Sequence, residues 1–76
     1  MENTFFLEKF REQFDEADPA TIQLEKPFRE IEEWSSLIAL CIIAMVDQEY
    51  QVKLTGEDIR SSVTVNDIYN KVIAKK

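Results

Sequence analysis

The sequence predicts an all-α fold, with three longer helices and a short one before the last. Apolar residues recur at helical spacing in three separate segments, and a serine or threonine stands before each later segment as a cap. With one Gly and two Pro in 76 residues, the chain lacks the turn residues that an all-β domain needs. Apolar residues make up 45% of the chain and are segmented, as in one small folded domain spanning 1–76.

Helix one is expected from Thr4 to Phe14. Phe6, Leu7, Phe10 and Phe14 form one apolar stripe, Glu8, Lys9, Arg11 and Glu12 occupy the other face, and Asn3 or Thr4 can cap the start. Residues 15–34 form a long connection, broken at Asp18-Pro19 and Lys26-Pro27 because proline disfavours helical geometry in the residue before it. Ile22, Leu24, Phe28 and Ile31 should pin this loop to the core, with a short helical turn between Phe28 and Glu32. A loop of this length in a small domain is often functional.

Helix two is expected from Ser36 to Tyr50, with Ser35 as its N-cap. Ala39, Ile42, Ile43, Val46 and Tyr50 make one stripe, the expected core face. Leu37, Ile38, Leu40, Cys41, Ala44 and Met45 are apolar too, so some of Leu37, Ile38, Cys41, Ala44 and Met45 should face outward. After an extended link at Val52 and Leu54, Thr55-Gly56-Glu57-Asp58 begins a short helix through Arg60. Thr64-Val65-Asn66-Asp67 repeats the pattern and opens the last helix, to about Ala74, with Val65, Ile68, Tyr69, Val72 and Ile73 as its stripe. Lys71, Lys75 and Lys76 fall near its C-terminus, where the helix dipole favours cations.

The composition bounds the function. A net charge of −6 with scattered bases argues against nucleic acid, whose phosphates need clustered Lys and Arg. The single cysteine, Cys41, excludes an internal disulfide, and with no histidine there is no zinc cluster. Cys41 reads as a small apolar filler, since it has no histidine to activate it. The uncharged run from Trp34 to Val46 is too short to span a bilayer, and no basic-then-apolar leader is present. A soluble, cytoplasmic monomer without membrane insertion is expected.

The segment Glu33-Trp34-Ser35-Ser36-Leu37 places a serine hydroxyl at the start of a helix on a chain with no plausible nucleophile–base pair. An enzyme is therefore not expected. A serine there suits modification by another enzyme, because the first amides of a helix stabilise an attached phosphate. On local sequence alone, the favoured reading is that Ser35 and Ser36 merely begin a helix.

The order of elements, with the long first loop ending in Trp34-Ser35-Ser36-Leu37, resembles the acyl carrier protein and peptidyl carrier protein family. Ser36-Leu37-Ile38-Ala39-Leu40 resembles the start of the peptidyl carrier helix two, Asp47-Gln48-Glu49-Tyr50 its acidic–aromatic end, and Val63-Thr64-Val65-Asn66-Asp67 the start of the last helix. The resemblance covers nearly the whole chain. It implies a four-helix bundle, with 4′-phosphopantetheine from coenzyme A attached covalently to Ser36. The arm would carry an acyl or aminoacyl group as a thioester, in fatty acid, polyketide or nonribosomal peptide biosynthesis. The implied partners are a phosphopantetheinyl transferase and acyl- or aminoacyl-loading and condensing enzymes. Leu37, Ile38, Cys41 and Met45 form either the face that docks them or a flank that the long loop buries.

Two departures bear on this. The family's usual Asp before the modified serine is Ser35 here, which keeps the capping role and loses the charge that helps the transferase dock. Ile38 and Cys41 stand where fatty-acid carriers usually have acidic residues, which implies a different set of partner enzymes. The alternative is a carrier-like helical interaction module that is never modified. Trp34 is expected to cover the junction of loop and helix. Glu30, Glu32, Glu33, Asp47, Glu49, Glu57 and Asp58 form an acidic surface available to basic partners.

Overall fold

The computed structural model describes residues 2–76, with side chains from Thr4 onward. It contains four α-helices: α1 (Glu2–Arg11), α2 (Ser36–Tyr50), α3 (Gly56–Arg60) and α4 (Val65–Lys75), with short 3-10 turns at Pro19–Thr21 and Phe28–Glu30. The all-α class is as expected, and so are the limits of α2. Among the described residues the extended structure is limited to an isolated bridge between Pro27 and Thr64.

Helix α1 begins earlier and ends earlier than its apolar spacing suggests. Asn3 and Thr4 lie inside it rather than before it, and the side chain of Asn3 lies outside the described set. Beyond Arg11 the chain tightens, the amides of Gln13 and Phe14 bonding three residues back to Phe10 and Arg11. Phe14 nonetheless keeps its place in the stripe. Phe6, Phe10 and Phe14 are buried one above the next, with ring centroids 6.0 and 5.6 Å apart. Leu7 is half-buried and Phe5 lies largely outside the core. Each fully buried ring contributes about 1.5–3 kcal/mol of transfer free energy, so this stripe is a principal attachment of α1.

The long loop is ordered by its own apolar residues and by backbone pairing. Ile22, Phe28 and Ile31 are buried, and Leu24 is half-buried. Its backbone runs beside the start of α4: the Phe28 amide donates to the Val63 carbonyl (3.2 Å), Val65 to Lys26 (3.1 Å) and Asn66 to Leu24 (2.7 Å). These bonds satisfy groups that an irregular segment would otherwise leave unpaired at the core.

Each later helix starts on a capping side chain. Thr55 and Asp58 form a reciprocal capping box on α3, and Thr64 and Asp67 form the same box on α4. Asp58 carries a second load, an ion pair with Lys75 at 2.9 Å that ties α3 to the end of α4. Lys71 reinforces this contact by donating to the Asp58 carbonyl at 3.0 Å.

The buried face of α2 differs from the expected stripe. Ile38, Ile42, Met45 and Val46 are buried, whereas Ala39, Ile43 and Tyr50 are only half-buried. Ile42 and Val46 belong to both stripes. Because α2 is apolar on every side up to Val46, spacing alone does not fix its rotation. On α4 the core residues are Val65, Ile68 and Val72; Tyr69 is half-buried and Ile73 is exposed, so that stripe is narrower than expected.

Candidate functional site

The candidate site is the junction where the long loop enters α2. Three aromatic rings shape it. Trp34 lies 4.5 Å from Phe28 and 6.4 Å from Phe14 between ring centroids, so the indole covers the loop–helix junction as its position suggests. One residue earlier, Glu33 holds the two ends of the loop together. Its carboxylate accepts the backbone amides of Asp15 (2.8 Å), Glu16 (2.9 Å) and Ala17 (2.9 Å). The Asp15 amide, followed by that of Glu16, draws the Glu33 carboxyl below its usual range by stabilising the anion. Glu33 is thus engaged within the chain, whereas its sequence reads as part of a free acidic surface.

The two serines that follow have different states. Ser35 is extended and its Oγ accepts the Ile38 amide at 3.3 Å, capping α2. Ser36 is the first residue of α2; its side chain is exposed and its hydroxyl makes no hydrogen bond among the described residues. Of the two, only Ser36 presents an unengaged hydroxyl at the helix N-terminus.

Beside Ser36 lies an open cleft of about 600 Å³ between α2 and α3, lined by Arg29, Trp34, Ser35, Ser36, Ala39, Leu40, Gly56, Ile59 and Arg60. The lining has two arginines and no carboxylate, on a chain of net charge −6. Arg29 forms one wall. Its Nη1 donates to the Ser62 carbonyl (2.7 Å), and its Nη2 donates to those of Ile59 (3.1 Å) and Arg60 (3.0 Å). It closes the C-terminal end of α3, where carbonyls lack partners in the helix. Its guanidinium also lies 4.7 Å from the centroid of the neighbouring Phe28 ring. A second cleft, about 580 Å³ and mostly acidic, lies under the loop at Glu16, Asp18, Lys26, Glu30, Glu32 and Glu33. Among the described residues no group of His, Cys, Asp or Glu is arranged to hold a metal ion.

The expected docking residues are not brought to one surface. Leu37 is exposed (69%) and Cys41 half-buried, but Ile38 (8%) and Met45 (6%) are buried in the core. The outward apolar flank runs instead through Leu37, Leu40 (63% exposed) and Ala44. Rotation of α2 about its axis accounts for the exchange: turning Ile38 and Met45 inward carries Leu40 outward. Arg29, Arg60 and Leu40 are the site residues that sequence reasoning missed. Residues 29 and 60 read as isolated bases, because nothing in the local sequence links them.

No protein-family model and no curated protein sequence matches the chain. Among the described residues no helix is long and apolar enough to cross a membrane.

Proposed function

We propose that the chain is an acyl or aminoacyl carrier protein that holds its cargo as a thioester on a 4′-phosphopantetheine arm attached to Ser36. The observation that carries this reading is the contrast between the serines. Ser35 caps the helix, and Ser36 offers an exposed, unengaged hydroxyl at the first position of α2. The order of elements supports it as well: a long loop pinned to the core, a fifteen-residue second helix and a five-residue third helix, as in the carrier family the sequence resembles.

In the proposed modification, the Ser36 oxygen forms a bond to the pantetheine-bearing phosphorus of coenzyme A. The bridging phosphorus–oxygen bond of the pyrophosphate breaks and the nucleotide half leaves. The serine proton passes to a base on the transferase, because this chain has no histidine and no base beside Ser36. The helix N-terminus then faces the new phosphodiester with its free amides. Loading and condensing enzymes act on the thiol of the arm, and the exposed flank at Leu37 and Leu40 helps them choose this carrier.

The test is intact mass after incubation with coenzyme A and a broad-specificity phosphopantetheinyl transferase, with Ser36→Ala and Ser35→Ala alongside. A gain of one phosphopantetheine in the wild type and in Ser35→Ala, absent from Ser36→Ala, is expected. No gain in the wild type with several transferases would overturn the proposal. A second reading, an unmodified carrier-like interaction module, is favoured by the uncharged Ser35 where the family usually has Asp, and that outcome would leave it standing.

A further inference from the structure

Resting on that reading of Ser36, we infer that Glu33 is a positioning residue for the modification: by clasping the amides of residues 15–17 it steadies the entry to α2, so that the transferase meets Ser36 in one geometry. Ser35, Ser36 and Leu37 are all exposed, and Ile38 is the first residue of α2 buried in the core. A helix whose first two side chains lie outside the core frays readily at that end, unless it is held from both sides. Ser35 holds the helix side. Its Oγ accepts the Ile38 amide (3.3 Å) and its carbonyl accepts the Ala39 amide (3.0 Å). The loop side is held by the two residues before it, Glu33 and Trp34, both half-buried.

The clasp uses the whole carboxylate. Glu33 Oε2 accepts the Asp15 amide and Oε1 accepts those of Glu16 and Ala17, so three successive amides converge on one anion. A ring contact lies beside it. Phe14, one residue before Asp15, packs on Trp34, one residue after Glu33, with centroids 6.4 Å apart. The polar tie and the ring contact together close the mouth of the loop, 14–17 against 33–34, as the neck of an Ω-loop is closed. Trp34 is tied a second time, its amide donating to the carbonyl of buried Ile31 at 2.9 Å. Glu33, Trp34 and Ser35 are thus each bonded in turn, and the next residue is Ser36. Without the clasp, Trp34 keeps its ring contacts, but the chain that leads it into α2 loses its fastening to residues 15–17. The hydroxyl then samples several directions, and only part of them suits an enzyme that must bring coenzyme A in line with it.

The experiment measures steady-state transfer from coenzyme A by a broad-specificity phosphopantetheinyl transferase, with the carrier concentration varied and the product read by intact mass. It compares the wild type with Glu33→Ala, Glu33→Gln and Val72→Ala, and follows amide hydrogen exchange of each by NMR. Glu33→Ala is expected to lower kcat about tenfold with KM for the carrier nearly unchanged, because the Leu37–Leu40 flank still docks while the hydroxyl is less often in line. In the same variant the Ile38 and Ala39 amides should exchange several-fold faster. Glu33→Gln keeps one oxygen, enough for the Glu16 and Ala17 amides, and sets its NH2 against that of Asp15, so its kcat should fall between the two. Val72→Ala trims a fully buried side chain of α4 and lowers the urea midpoint, and its kcat should equal that of the wild type. Equal kcat in Glu33→Ala and the wild type, or a loss that Val72→Ala reproduces, would overturn the positioning role and leave the carrier reading intact. A loss carried by KM alone would make Glu33 a docking residue and overturn that role as well. Absence of any mass gain in the wild type would overturn the carrier reading, and the inference with it.

Discussion

The Glu33 carboxylate accepts the backbone amide of Asp15 at 2.8 Å, across 18 positions of chain. With the amides of Glu16 and Ala17 on the same group, it fastens the beginning of the long loop to the residue before Trp34. The consequence is a defined dependence on acid. The carboxyl of Glu33 is lowered by the Asp15 amide first, that of Asp58 by Lys75 first, and that of Asp67 by the Thr64 amide first. A carboxyl depressed in the folded state binds fewer protons there than in the unfolded chain. Its contribution is complete above the ordinary values of 4.5 for Glu and 3.8 for Asp, and is lost as pH falls below them through the folded values. Urea midpoints should therefore be level above about pH 5.5 and fall steadily below about pH 4.5. Glu33→Gln should lower the midpoint at pH 7 and flatten part of the acid limb. An acid limb identical to that of the wild type would show that the Asp15–Ala17 amides do not depend on the Glu33 charge.

Arg29 is the second long-range clasp, and the prediction for it turns on geometry. Its guanidinium reaches from the long loop to the carbonyls of Ile59, Arg60 and Ser62. Arg29→Met keeps much of the stem and removes all three bonds, at an expected cost of about 1–2 kcal/mol in urea unfolding, because the side chain is exposed and water replaces part of what is lost. Arg29→Lys keeps the charge without the planar fork and should recover less than half of that loss. Full recovery by lysine would mean that charge near the end of α3 matters and the fork does not.

These two clasps also mark the limit of what the sequence discloses. The caps were legible because their partners lie three residues apart: Ser35 with the Ile38 amide, Thr55 with Asp58, and Thr64 with Asp67. The position of Ser36 at the first turn of α2 was legible because it follows a cap directly and precedes a long uncharged run. Glu33 and Arg29 were not, since their partners stand 16–18 and 30–33 positions away and are backbone groups, which leave no mark in the sequence. The face of α2 was illegible for a different reason. From Leu37 to Val46 every residue is apolar, so a pattern that depends on contrast between faces has none to use.

Ser35 separates the capping role from the recognition role. Ser35→Ala removes the acceptor for the Ile38 amide and should cost about 1 kcal/mol of stability. Ser35→Asp keeps an acceptor and adds negative charge at the positive end of α2, so stability should hold or rise by up to about 1 kcal/mol. On the carrier proposal, the same substitution supplies the carboxylate that generic transferases are expected to use, and it should raise kcat/KM for modification of Ser36 several-fold. The two readouts, urea midpoint and transfer rate, are measured on the same variants. A transfer rate that simply follows stability would show that residue 35 acts only as a cap.

The rotation of α2 gives the sharpest contrast, because Ile38 and Leu40 are two positions apart and have opposite surroundings. Ile38 is 8% exposed and Leu40 is 63% exposed. Ile38→Ala leaves a void in the core and should cost about 2–4 kcal/mol in urea unfolding. Leu40→Ala removes a side chain that mostly faces water and should change stability by less than about 0.5 kcal/mol. Function should show the reverse order. Leu40 lines the cleft beside Ser36, so Leu40→Ala should lower kcat/KM for the transferase while the fold is unchanged. Ile38→Ala should alter that rate only as far as it unfolds the protein, and assays below its urea midpoint should restore it. If Ile38→Ala proved neutral and Leu40→Ala destabilising, α2 would be turned the other way, with Ile38 and Met45 returned to the outer flank.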